Sequence, residues 1–584
     1  MDAISKRLAH PRLPVILALL AMALAVPSLW TGLFTDDYLI QVSTQRPPAM
    51  DGLLGPVHVS MFTFTDGNPD RTQQLVDRGM FPWWTADDMR LSFLRPLTVL
   101  THWIDFTLWP ERTWLMHLHS ILWLGAVVFV VALLYRRMLG LGLAAGLAAL
   151  LFAVDDAHAM PVTWITNRNS LLAVFFGVVT ILLHDRWRRD GHRLSAMLAP
   201  ACLGLGVLSN EGAIAACGYL FAYALFLDRG RWWARALTLA PYAILVIVWR
   251  IYYQLEGFGA WGSARYIDPL ASPLLFLKAF IIREPVLLLG QWGFPPSDVF
   301  RSLTPGGQLI LSIGAMAFLG VVLVVLIPLL RRDATARFWS LGMVLALIPS
   351  CATAPVDRML LFSGVGAMGL MAQFMSGIQI DNLSGATAVF SRAFRRPLIV
   401  LFVFLHLIVA PLLLPARIYY YGTLGNVFNE VVESAQFEDG VADQTVIVVN
   451  VPNYPYVTYL PIVRALKGQE VPGRVLSLAP SRFVPARVER LDERTLRYTP
   501  EGGFSWALFR ENDRTFTPGD TVELTGMTVE VTAITDEGRP SEVTYEFDVP
   551  LDDPSLVWLE LQGREFVPFN IPAVGESSTL NNSG

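Results

Sequence analysis

Charge is scarce in this chain of 584 residues: only 16% of them are Asp, Glu, Lys or Arg, where soluble globular chains carry about 25%. The deficit excludes an ordinary soluble domain. Cysteine is scarcer still. Cys202, Cys217 and Cys351 are the whole set, and all three lie in or beside apolar runs, where they read as small hydrophobes. No CxxC pair and no Cys/His cluster occurs, which removes the usual zinc motifs and a disulfide framework. No tetratricopeptide or other repeat is visible either. No feature points to a nucleic-acid partner.

Apolar runs are abundant. They recur at about 17 to 25 residues, the length that crosses a bilayer as a helix. We place spans near 13–33, 114–135, 139–154, 169–184, 195–209, 211–227, 235–254, 308–330, 338–354, 358–377 and 397–415. The first has a signal-peptide flavour, with Lys6, Arg7 and Arg12 before an apolar core and "ALA" at 23–25. We read it as an uncleaved helix because many spans follow.

Alternate connections carry basic clusters: Arg136 and Arg137, then "DRWRRDGHR" at 185–193, "DRGRWWAR" at 228–235, "RRDATAR" at 331–337 and "SRAFRR" at 391–396. The positive-inside rule makes these and the N-terminus cytoplasmic. Eleven spans then put the C-terminus outside, in the periplasm for a chain of a Gram-negative inner membrane. Two outward segments are long, 34–113 and 255–307; connections of that length are usually functional or disordered, and their Trp and Phe content argues against disorder.

Beyond about residue 437 the hydrophobic period changes to two. "TVIVVN", "TVELTGMTVEVTAI", "EVTYEF" and "LVWLEL" read as strands between Gly, Pro and Asp turns. Charge shifts with the pattern. Residues 431–584 hold 12 Lys and Arg against 24 Asp and Glu, whereas 1–430 hold 32 against 25. The expected architecture is a polytopic α-helical membrane domain, 1–420, a β-rich extracytoplasmic domain, 437–575, and a polar tail, 576–584.

The notable polar residues fall on one side of that topology. Asp36 and Asp37 follow the first span. Arg95 lies in "FLRPLTVLTHWIDFTLW". Asp155, Asp156, His158 and Arg168 lie in "LFAVDDAHAMPVTWITNR", Glu211 in "LSNEGAIAA", and Arg358 in "CATAPVDRMLLFSG". Each has a plainer reading. The doublets can end helices in water, the arginines can snorkel to headgroups, and His158 can be a bonded loop histidine. Glu211 resists this reading, because a carboxylate in so apolar a stretch needs a partner or a wet cavity. His102, His117 and His119 are expected to be structural. Together, guanidinium forks suit phosphate oxygens and a carboxylate can take a proton from a hydroxyl acceptor. Group transfer from a lipid phosphate fits this set, and so does a transporter's coupling site.

Four stretches carry a family resemblance: "TDDY" after the first span, "FLRPLTVLTHWIDFTLW" with "HLHSILWL", "AALLFAVDDAHAMPVTWITNRNSLLAVFF", and "LSNEGAIAACGYLFAYALF". A fifth is "DRMLLFSGVGAMGLMA". In this order they resemble the GT-C superfamily of integral-membrane glycosyltransferases, which includes the protein O-mannosyltransferases. They are closest to the membrane half of the transmembrane/tetratricopeptide mannosyltransferases. The resemblance implies a GT-C-like fold of about 11 transmembrane helices and a catalytic first outer loop. It implies a polyprenyl-phosphate-linked sugar as donor, inversion at the anomeric carbon, and a catalytic base at Asp36 or Asp37, with Asp36 slightly preferred. Substrate contacts are then expected from Arg95, Asp155, Asp156, His158, Arg168, Glu211 and Arg358. Some members use a divalent metal ion, for which Asp36, Asp37 and Asp155 are the carboxylates to consider. Two departures stand out. Relatives read His-Pro then His where this chain reads Asp155, Asp156 and His158, and a β-rich region replaces the tetratricopeptide repeats. The acceptor, whether glycan, lipid or protein, is therefore open. The competing readings are a transporter or flippase of lipid-linked sugars and a non-catalytic envelope-assembly scaffold.

Overall fold

Apolar run length translates into helices, but not into eleven long ones. In the computed structural model, which describes residues 2–55, 61–377, 386–451, 453–478, 485–504, 508–511 and 513–580, six helices are long and apolar enough to cross a membrane. They are Leu13–Trp30, Thr113–Leu139, Ile165–Asp190, Pro305–Arg332, Ala334–Ala352 and Ala393–Ser434. A seventh is a pair, Leu143–Ala153 and Asp156–Thr163, bent by 41° at its break. Three further expected spans are shorter apolar helices, Arg193–Val207, Glu211–Phe226 and Leu361–Met375, and the region expected at 235–254 holds the 16-residue helix Ala240–Leu255. Among the described residues, six of the eleven expected spans are single helices of crossing length, seven with the bent pair, in a multi-pass membrane protein. The reason is local. Polar or Gly-containing turns such as Asn210 to Gly212 end the helices early, and run length alone does not reveal where a helix stops.

The chain divides into two compact units. The first comprises 1–32, 94–256 and 267–422; the second comprises 33–93, 257–266 and 423–584. Much of the outer segment at 34–113, and ten residues of 255–307, therefore group with the C-terminal residues rather than with the membrane helices among which the sequence places them.

Small residues let the helices of the first unit approach closely, as membrane packing favours. A Cβ on Gly366 would stand 2.6 Å from the Trp339 carbonyl oxygen, and one on Gly342 would stand 2.3 Å from the Tyr219 ring. Tyr219 pins this contact, donating to the Phe362 carbonyl at 2.6 Å and accepting the Gly366 N–H at 2.8 Å. Basic residues fill the last turns of Thr113–Leu139, Arg168–Asp190 and Pro305–Arg332, where a cation meets the negative end of the helix dipole.

The second unit contains three sheets. Thr63–Asp66, Arg90–Ser92 and Gly259–Trp261 form a small antiparallel one. A six-stranded antiparallel sheet takes in the expected hairpin Thr521–Leu524 and Met527–Ile534. Its edge strand is Ser577–Leu580, paired with Ala486–Arg490. The tail expected to be merely polar therefore starts as a strand, and its last four residues lie outside the described ones. The third sheet has four strands, three of them parallel: Leu556–Gln562, Thr445–Val448 and Arg474–Ser477. Parallel neighbours need a crossover, and the helix Pro455–Leu466 lies between Thr445–Val448 and Arg474–Ser477 in the chain. The last seven residues of the aromatic stretch "VNVPNYPYVTYLP" open this helix. Tyr454, Val457, Tyr459 and Leu460 of the stretch are buried. One apolar core joins these strands to Val42, Leu75, Trp83 and Trp84 of the first outer segment. Trp83 Nε1 donates to the Leu478 carbonyl at 3.2 Å and to the Tyr545 hydroxyl at 3.1 Å, which explains the grouping.

Candidate active site

The helix Asp36–Gln45 opens the second unit's polar cluster. Two carboxylates in a first helical turn face the positive end of the dipole, and the two aspartates divide there. Asp37 is 1% exposed, and its Oδ2 accepts the Phe34 N–H at 3.1 Å, closing the turn behind it. Asp36 is half-buried and accepts the Tyr459 hydroxyl on Oδ1 at 2.5 Å. Thr35, between Phe34 and Asp36, has φ 43° and ψ −110°, a conformation that side-chain-bearing residues rarely adopt and that costs on the order of 1–3 kcal/mol. Tyr38 donates to Asn429 Oδ1 at 2.9 Å, and Asn429 donates to the Leu33 carbonyl at 3.1 Å. The turn is thus held from both sides. Burial, reinforced by the Glu433 and Asp37 charges, raises the Tyr38 phenol pKa well above its ordinary range.

The first unit gathers a different set. Its centre is Arg417, which the sequence reading left out. Arg417 bonds Asp156, Asp298 and Asp357, each at 2.7 Å, and its Nη2 lies 3.4 Å from the Tyr421 hydroxyl. The break between Ala153 and Asp156 supplies one wall. There the Asp155 side chain accepts the Ala157 N–H at 3.1 Å and the Gln291 amide at 3.1 Å. Asp357 also accepts the Ser297 N–H at 2.7 Å. Burial, then the Asp357 charge, pushes the Asp298 carboxyl pKa up against the opposing pull of Arg417.

The other expected residues lie in this unit too. Arg95 and Glu211 form a two-pronged pair, with contacts of 3.1 and 2.6 Å. Arg168 is fully buried. It meets Asp105 at 2.5 Å, Ser120 at 3.0 Å, His119 at 3.1 Å and the Met116 carbonyl at 2.7 Å, an arrangement that braces the helices. His119 meets Asp105 at 2.8 Å, and His117 meets Thr31 and the Gly32 carbonyl at 3.1 and 2.9 Å. His158 is buried against the Phe152 ring, with 4.9 Å between centroids. Arg358 lies over the Trp164 ring at 5.3 Å, a cation–π placement. Asp155 and Asp156 therefore join a cluster, whereas Arg95 with Glu211, Arg168 with Asp105, and Arg358 with Trp164 make separate contacts.

A divalent metal ion is not supported by these side chains. Among the described residues, no group of three or more His, Cys, Asp or Glu is placed to hold one.

The signal for Arg417 was present. It is a lone cation following "LLLPA", and an ionisable residue in such a run calls for partners by default. Asp357 stood beside Arg358 in the quoted motif. Tyr459 had no signal, because its partner lies 423 residues away.

No protein-family model and no curated protein sequence matches the chain. Among solved structures, it is similar to the oligosaccharyltransferase AglB from Archaeoglobus fulgidus in complex with an inhibitory peptide and a dolichol-phosphate. That match has 14% identity and a TM-score of 0.41, over 79% of this chain and 64% of that one. The same archaeal enzyme in complex with Zn and sulfate aligns with a TM-score of 0.39 and 14% identity, over 80% and 62%. ArnT from Cupriavidus metallidurans in the apo state aligns with a TM-score of 0.38 and 12% identity, over 78% and 88%. The chain thus spans less than two-thirds of the oligosaccharyltransferase's length.

Proposed function

We propose that this chain transfers a sugar from a polyprenyl-phosphate-linked donor to an acceptor hydroxyl at the outer face of the membrane, with Asp36 as general base. The reading takes the eleven-span topology, with a cytoplasmic N-terminus and an extracytoplasmic C-terminal region, in a bacterial inner membrane. One observation carries it. Of the two adjacent aspartates, Asp37 is 1% exposed and accepts the Phe34 N–H, while Asp36 is half-buried with one oxygen held by a phenol. A base needs this combination of access and fixed orientation.

The chemistry balances without an added group. The acceptor O–H gives its proton to Asp36 as its oxygen attacks the anomeric carbon. The bond from that carbon to the phosphate oxygen breaks, and the polyprenyl phosphate leaves with the electron pair. One displacement inverts the centre. A guanidinium near the leaving phosphate would stabilise its developing charge.

Mass spectrometry of cell-envelope glycans and glycoproteins tests the reading. A strain lacking the gene loses one glycan; the wild-type gene restores it and Asp36→Asn does not. Full restoration by an Asp36/Asp37 double variant would instead favour a scaffold.

A further inference from the structure

We infer that Tyr459 is a positioning residue: its hydroxyl holds Oδ1 of Asp36, so the second unit's crossover helix completes the general base. The inference rests on the reading of Asp36 as that base.

The contact has the form of a charge-assisted hydrogen bond, the short and strong kind. Tyr459 Oη and Asp36 Oδ1 are 2.5 Å apart. A carboxylate with one oxygen fixed by a rigid donor cannot swing freely. Its plane, and the direction of its other oxygen, are then set by the donor.

The donor is rigid. Tyr459 is buried, and its ring stands edge-on to Phe428 at 5.9 Å. Phe428 stands edge-on to Phe34, also at 5.9 Å, and Phe34 is two residues before Asp36. The same aromatic set therefore braces both the donor and the approach to the acceptor. The start of the crossover helix is tied down as well. Tyr454 donates to the Gly79 carbonyl at 2.9 Å, and Thr458 donates to the Met80 carbonyl at 3.0 Å. At the other partner, Thr35 holds its unusual φ of 43° one residue before Asp36. Strain of that kind persists only where the surroundings over-determine it.

A merely structural tyrosine would satisfy a buried carboxylate and do no more. A positioning tyrosine makes a distinct prediction, because misplacing a base slows the chemical step without weakening donor binding. Tyr459→Phe removes one oxygen and keeps the ring packing. Tyr545→Phe, which removes another buried phenol of the same unit, one that donates to the Leu478 carbonyl, is the control.

The test uses the full chain in lipid nanodiscs. The donors are a panel of radiolabelled short-chain polyprenyl-phosphate hexoses, and the acceptor pool is cell-envelope extract from the deletion strain. Tyr459→Phe is expected to lower kcat roughly 10- to 100-fold with an unchanged donor KM, while Tyr545→Phe keeps kcat. Unchanged kcat in Tyr459→Phe, or an equal loss in the control, overturns the inference. A second measurement needs no turnover. Ultraviolet resonance Raman difference spectra between chains with and without the Tyr459 hydroxyl isolate its tyrosine doublet, which reports whether the phenol donates. The doublet is expected to show a strong donor in the wild type and to lose that character in Asp36→Ala. A doublet indifferent to Asp36→Ala overturns the contact. The two failures separate cleanly. Activity retained in Asp36→Asn sinks the choice of base, whereas an inactive Asp36→Asn with a fully active Tyr459→Phe sinks only the positioning role.

Discussion

The two polar clusters solve opposite problems. In the first unit, charge answers charge: one guanidinium, Arg417, serves Asp156, Asp298 and Asp357. In the second, a carboxylate is met by a neutral phenol, Tyr459 on Asp36. Buried charges persist only when paired, because each costs several kcal/mol to desolvate. The shared guanidinium fixes one oxygen of each carboxylate. A phenol orients a carboxylate without neutralising it. The comparison separates a cluster held by ion pairs from one held by a neutral donor.

The largest effect should come from breaking the charge cluster. Arg417→Met leaves three carboxylates without their shared cation and is expected to cost about 3–5 kcal/mol. It should show as loss of folded protein in detergent by fluorescence-detected size exclusion, with Arg417→Lys intermediate. Next comes Asp36→Asn. It should reduce transfer by about 10²- to 10⁴-fold while moving the thermal midpoint little, and this split between stability and activity is the sharpest test of the contrast. Asp37→Ala should do the reverse on a smaller scale. It strands the Phe34 N–H, costs on the order of 1–2 kcal/mol, and retains more activity than Asp36→Asn under conditions where both are folded.

The smallest effect is one of pH. The Arg514 hydrogen bond holds the Asp88 carboxyl below its ordinary value of 3.8. A depressed folded value means that the stabilisation is present above that ordinary value and fades as pH falls through the lower folded one. The pair is largely exposed, so it is worth less than about 1 kcal/mol. Thermal scans between pH 7 and pH 3 should lose this small slope in Arg514→Gln.

Helix positions in the first unit were legible because hydrophobic run length is a local property. Each expected span has an apolar helix at its place, and the strands at 445–448, 521–534 and 556–562 follow from period-two alternation. Helix length was not legible, since ends depend on caps such as Asp155 on Ala157. The site was partly legible. Asp36, Asp155, Asp156 and Arg358 were named from their settings, but Arg417 was passed over because the last span was drawn to end before it. Arg168, expected to contact substrate, is surrounded by Asp105, His119 and Ser120.

What the sequence by itself determined is the membrane character, the order of apolar helices, the change to strands near residue 437, and the doublet at Asp36 and Asp37. These follow from hydropathy and period, which neighbouring residues set. Only the tertiary structure decided that residues 33–93 and 257–266 share a unit with 423–584, and that Asp36 rather than Asp37 keeps access. It also decided that a tyrosine 423 residues on donates to Asp36. Those outcomes depend on which distant side chains share a core, and no local pattern encodes a partner's address.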